Sequence, residues 1–169
     1  MYHVGHTWIE RMKGGRLRIG VDDFAGKILG PVDRLNLPPR GEVLRQDRKG
    51  WSFLRASRRA PFLSPVTGKV FDINLDAVSH PENVLKDPYG DGWLLVVEPK
   101  GSEAELKHLL YGEAGFRWME EENRKLLELL GPEYERLAAS GGGAVEDVFG
   151  IRPEIGWETL VKTFLRTEV

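Results

Sequence analysis

Residues 51–70 read WSFLRASRRAPFLSPVTGKV. Residues 51–54 have the apolar, aromatic composition of a strand, and residues 66–70 open another. The expectation is a turn region between them, carrying Arg55, Arg58 and Arg59 and no lysine. The basic surplus extends backwards, because Arg45, Arg48 and Lys49 precede the first strand and only Asp47 opposes them. A basic patch of this kind attracts an anionic partner. It equally suits a solvated edge strand, whose charges discourage pairing between sheets.

Working outward, the chain of 169 residues has room for one domain and an appendage. Apolar residues at 41% and charged residues at 30% fit a globular protein. The absence of cysteine excludes disulfides, thiolate chemistry and cysteine–zinc sites. No apolar run is long enough to span a bilayer, and MYHVGHTW lacks the pattern of a signal peptide, so a cytoplasmic protein is expected. The net charge of −2 hides an asymmetry: residues 1–100 carry 16 Lys/Arg and 12 Asp/Glu, residues 101–169 carry 8 and 14. Nucleic acid is disfavoured as a partner, since the basic patch is small and the chain is net acidic.

Residues 6–100 read as short strands punctuated by turns. GRLRIGV alternates Leu17, Ile19 and Val21 against Arg16, Arg18 and Gly20. GVDDFAGKILG reads as a short helix capped by Asp22 or Asp23, with Phe24, Ile28 and Leu29 as its stripe and Gly30 as its stop. VDRLNL, KVFDINL and WLLVVEP read as strands, the last central because both its faces are apolar. DPYGDGW is a dense turn signal. After Gly101 the period becomes helical. GSEAELKHLL starts with a capping box of Ser102 and Glu105. FRWMEEENRKLLELL places Phe116, Met119, Leu126, Leu127 and Leu130 on one stripe. PEYERLAAS runs into the tether Gly141–Gly143. WETLVKTFL then spaces Trp157, Leu160, Val161, Phe164 and Leu165 as an amphipathic helix, to dock on its own domain or on a partner.

No catalytic constellation stands out, and no enzyme is expected. His3 and His6 lack an acidic third ligand at metal spacing and read as a frayed N-terminal pair, so no metal site is expected. Ser57 and Ser64 lack a nucleophile elbow, and nothing pairs His80 or His108 with a base's partner. Acidic residues 120–122 read as the solvated face of a helix.

The order of motifs in residues 6–111 resembles the H protein of the glycine cleavage system. The matching stretches are His6-Thr7-Trp8, Gly20-Val21-Asp22-Asp23 leading to Leu29-Gly30, Asn36-Leu37-Pro38 with Gly41-Glu42, and Ser64-Pro65-Val66-Thr67-Gly68. Ile73-Asn74, Pro81-Glu82-Asn83 and Asp87-Pro88-Tyr89-Gly90-Asp91-Gly92-Trp93 continue the series. The resemblance implies a mainly β fold with C-terminal helices, an α+β protein built on a barrel-sandwich hybrid of the lipoyl and biotinyl carrier kind. With the helical periodicity that follows it, the expectation is three parts: residues 1–112 as the sandwich, 113–140 as a helical extension, and 141–169 as tether and amphipathic helix.

The resemblance also implies a use. H proteins carry lipoate on a lysine at a hairpin tip and shuttle an aminomethyl group and an electron pair between enzymes. Counting back from Pro65 puts that lysine at Ser57, and aligning from Trp51 puts it at Arg58. No lysine occurs between Lys49 and Lys69. Serine offers no amine, and guanidinium stays protonated, so neither forms the amide. The cleft that shelters the arm is altered too, with Thr7 for the family's glutamate and Ile28 for a polar residue. The reading is a non-lipoylated binding or accessory module without a cofactor of its own. It docks on proteins, among them glycine cleavage or lipoate-transfer enzymes, through Arg55, Arg58 and Arg59. The alternative is a working carrier that uses Lys49 or Lys69.

Overall fold

The computed structural model describes residues 1–101, 103–141 and 145–168. In chain order the first elements are β1 (Tyr2–His3), β2 (Thr7–Arg11), β3 (Leu17–Val21), α1 (Asp23–Leu29), β4 (Arg34–Asn36), β5 (Val43–Leu44), β6 (Lys49–Arg55) and β7 (Arg58–Leu63). They continue with β8 (Gly68–Ile73), α2 (Leu75–Ser79), α3 (Asn83–Lys86) and β9 (Leu95–Pro99). The strands form a six-stranded sheet, β1-β2-β3-β9-β8-β5, and a three-stranded sheet, β4-β6-β7. Every pairing is antiparallel. Ile19, Leu95 and Val97 from the first sheet and Phe53 and Phe62 from the second belong to one continuous core, each at most 1% exposed. This is the barrel-sandwich arrangement, with helices appended. The expectation for β9 holds: it lies between β3 and β8, and its first three residues are buried.

The turn motifs earn their places by hydrogen bonding. Asp22 caps α1 by accepting from the Ala25 N–H (2.9 Å). Asn74 caps α2 and donates to the Asp91 and Trp93 carbonyls, tying that helix to the DPYGDGW turn. Asp87 accepts from the Gly90 and Asp91 N–H groups inside the same turn. Trp8 pairs across from Gly20, where a Cβ would meet its indole at 2.5 Å, so the glycine makes room for the ring. The Trp8 indole N–H then reaches the Val21 and Pro88 carbonyls.

The C-terminal third holds α4 (Glu103–Leu106), α5 (Gly112–Leu130), α6 (Pro132–Ala139), α7 (Val148–Ile151) and α8 (Trp157–Leu160). The last opens into a wider π-type turn over Val161–Leu165. Ser102, Gly142 and Gly143 lie outside the described residues, and with them part of the expected capping box and tether. Glu105, the other half of that box, accepts from the Thr67 backbone N–H (3.0 Å).

The expected stripe of α5 holds at Leu126 and Leu130 and fails at its start. Phe116 is 66% exposed, whereas Gly115, Glu122, Leu126 and Leu130 are buried. Glu122 is therefore not on a solvated face. The tail helix docks on its own chain: Trp157, Leu160, Val161, Phe164 and Leu165 are all buried, and Phe164 meets Phe24 of α1 edge-on at 5.3 Å.

Candidate functional site

The segment expected as a turn is a tight hairpin. β6 and β7 pair as far as Arg55 opposite Arg58, leaving only Ala56 and Ser57 as the turn. Ala56 takes φ 52, a positive value of the kind two-residue hairpin turns require, and its N–H is held by the Asp33 carboxylate. Arg58 and Arg59 are thus strand residues. Ser57, exposed at the apex, occupies the position that spacing from Pro65 assigns to the family's lysine.

β7 is an edge strand, and Pro61 sits in it as proline can only at an edge. Its outer carbonyls are covered by the tail. The Trp157 indole N–H donates to the Arg59 carbonyl (2.7 Å), and the Thr167 hydroxyl donates to the Pro61 carbonyl (2.9 Å). Covering an edge in this way removes a template for unwanted pairing.

Alternation along the hairpin gives the arginines different surroundings. Arg59 turns to the neighbouring strand and donates through Nε to the Ser52 hydroxyl (2.9 Å). Arg55 reaches α1 and the tail. Its Nη1 donates to the Leu29 carbonyl (2.7 Å) and to Asp147, and its Nη2 donates to the second Asp147 oxygen (3.0 Å). This bidentate pair is half-buried. The guanidinium carbons of Arg55 and Arg58 lie 5.3 and 4.9 Å from the centre of the Phe149 ring. Phe149 in turn packs edge-on against Trp157 at 5.1 Å. Arg55 was expected on a free docking surface together with Arg58 and Arg59; it is instead engaged within the chain.

The cleft positions are likewise covered. Thr7 and Ile28 are fully buried, and the Thr7 hydroxyl has no hydrogen-bond partner. Arg166 beyond the tail helix donates to the Val4 carbonyl (2.9 Å), so the tail runs across the turn that leads into β2.

The alternative lysines lie elsewhere. Lys49 stands at the far end of β6, roughly 20 Å from Arg55 at strand spacing, and donates to the Glu168 carbonyl (2.6 Å). Lys69 is on β8, in the other sheet, opposite Val43 and Glu98.

The N-terminal histidines are not frayed. His3 is buried and bonds Asp47 at 2.8 Å. His6 is wholly buried, with Asp22 2.8 Å from Nδ1 and Glu122 3.4 Å from Nε2. Burial works against its charge, yet the two carboxylates outweigh it and raise the pKa to about 9. Glu122 also receives Lys125 (2.8 Å) and Arg166 (3.2 Å). Burial pushes its carboxyl up, but His6 and Lys125 prevail and hold it below the usual range. The cluster ties the turn before β2, the start of α1, α5 and the tail together. Sequence spacing carried one usable signal for it: a stripe through Gly115, Trp118, Glu122 and Leu126 puts Glu122 on the packed face.

Among the described residues no group of three or more His, Asp and Glu side chains could hold a metal ion. No helix there is long and apolar enough to cross a membrane.

Comparison with known proteins places this architecture. A family model for the glycine cleavage H-protein matches residues 1–122, so α6 and the tail lie beyond the matched part. The chain is 38% identical to a glycine cleavage system H protein of Oceanobacillus iheyensis over 113 residues, 67% of this chain and 88% of that one. It is 34% identical to one of Mycolicibacterium vanbaalenii over 118 residues, 69% of this chain and 89% of the other. The crystal structure of a glycine cleavage system H protein from Mycobacterium marinum has the same fold, with a TM-score of 0.61 at 24% identity, covering 72% of this chain and 94% of that one. The chain belongs to the glycine cleavage H-protein family.

Proposed function

We infer that this H-family protein does not carry lipoate at its hairpin and works as a protein-docking accessory of a lipoate or one-carbon system. H proteins are carriers rather than catalysts, and their work is done on the surfaces of other proteins. The observation that carries the reading is the hairpin apex. Ala56 and Ser57 make the turn, Arg55 and Arg58 flank it, and no lysine lies between Lys49 and Lys69. A lipoyl group is attached through an amide, which neither a hydroxyl nor a guanidinium supplies. The partners fitting this reading are proteins of glycine cleavage or lipoate transfer, met through the basic residues Arg58 and Arg59 and, once freed, Arg55.

Family membership itself favours a second reading, a lipoyl carrier modified at Lys49 or Lys69. Both stand in strands away from the tip, and Lys49 is already engaged by the Glu168 carbonyl. The test is the intact mass of the chain purified from its own host. An unmodified mass is expected. One added lipoyl group, mapped to Lys49 or Lys69, replaces the first reading with the second.

A further inference from the structure

We propose that the tip binds protein segments that pair a carboxylate with an aromatic ring, and that residues 145–152 are a resident, displaceable copy of such a segment. The proposal rests on reading the tip as a protein-docking surface and names the chemistry of what docks there.

The two parts of the tail are held differently. The helix beginning at Trp157 is anchored by five buried apolar side chains. The single turn α7 fully buries only Val148, with Val145 and Phe149 partly buried beside it and Ile151 46% exposed. What fixes α7 to the tip is polar: the Arg55–Asp147 fork and the Phe149 ring beside two guanidinium groups. An ion pair this close to solvent is weak and salt-sensitive. Asp147 also adopts φ 49, which is uncommon outside glycine. The polar hold can therefore open while the tail helix stays docked. Once open, it leaves two arginines on the inner side of the hairpin whose fork and flat faces match a carboxylate and an aromatic ring. The Leu29 carbonyl keeps Arg55 oriented for that role.

The occupant is a partner protein's acidic–aromatic segment. A nucleic acid or a membrane surface would use the charge without needing the ring.

The test uses the full chain and a fluorescein-labelled peptide of sequence VEDVFGIR, followed by anisotropy at low salt. Asp147→Asn keeps the cap on Gly150, because asparagine caps helices and tolerates positive φ, but it removes the charge. This variant should bind the peptide roughly two- to fivefold more tightly than the wild type, the scale of one ion pair close to solvent. Adding Arg55→Gln should return binding to the wild-type level or below. Peptides with Asp147→Asn or Phe149→Ala should bind the opened protein weakly, and they read the same chemistry if the Arg55 variant fails to fold. Equal binding to all three proteins, no binding to the Asp147→Asn chain, or indifference to the peptide changes overturns the proposal. Failures of the two readings are distinguishable. A lipoylated native chain removes the non-carrier reading without touching the titration, and an unmodified chain that ignores the peptide removes only the resident-segment proposal.

Discussion

His6 is enclosed by Asp22, Glu122, Phe24 and Trp118, with the two rings 4.6 and 4.8 Å from its own. An unfolded histidine titrates near 6.5, and here the folded value is about 9. The folded state therefore holds the proton more tightly. Its contribution is complete below about pH 6.5 and is lost as pH rises through about 9, on the order of 3 kcal/mol. Urea unfolding at pH 6 and pH 10 should show lower stability at the higher pH. Glu122→Gln should make that dependence shallower and cost on the order of 1–3 kcal/mol at neutral pH, because it removes one of the two carboxylates that face the buried cation while Asp22 remains. An equally steep dependence in the variant would contradict this account. Gly30 is the second decisive residue. It has φ 66, and a Cβ there would lie 2.1 Å from Asp147 Oδ1 and 2.6 Å from Arg55 Nη1. Gly30→Ala should cost on the order of 1–3 kcal/mol through backbone strain. It should also open the Arg55–Asp147 pair, and because the same Cβ fills the space of an incoming carboxylate, the peptide should bind no more tightly than it does to the wild type. Local pattern could place Glu122 on a packed face and Gly30 at a helix end, but it could not name the partners of either. Glu122 meets a histidine 116 positions away, and no helical periodicity announces such a partner.

At the scale of elements, what local chemistry dictates was readable. Alternation gave β3, the Asp22 cap and Gly30 stop gave α1, and two apolar faces gave the central β9. β7 was missed because paired arginines and Pro61 argue against a strand. The structure tolerates them at an edge whose outer carbonyls the tail covers. The stripe of the tail helix was legible too, but an amphipathic stripe does not name the surface it covers. That surface includes α1 and the edge of β7. Phe164→Ala should therefore cost roughly 3–5 kcal/mol, the usual cost of emptying a buried phenylalanine site. Deleting residues 145–169 should lower the melting temperature and promote aggregation, since Phe24 and the β7 edge become exposed. A truncated chain as stable as the full one would show that the tail packing contributes nothing.

At the scale of the molecule, the charge asymmetry is partly resolved within the chain. The acidic C-terminal part supplies Asp147 to Arg55, Glu122 to His6 and Glu103 to Arg11. The turns that build the H-protein sandwich persist, while the apex is formed by Ala56 and Ser57, its flank is basic and its inner side is covered. These three differences act together, which gives the account its most direct test. Ser57→Lys restores an amine at the apex position and leaves the flank and the cover in place. Incubated with a lipoate ligase, lipoate and ATP beside a lysine-bearing H protein, this variant is predicted to show little added lipoyl mass, because like charges at a recognition surface suppress a wrong partner. Modification as rapid and complete as that of the control protein would contradict the account and show that the basic flank and the cover do not hinder the ligase.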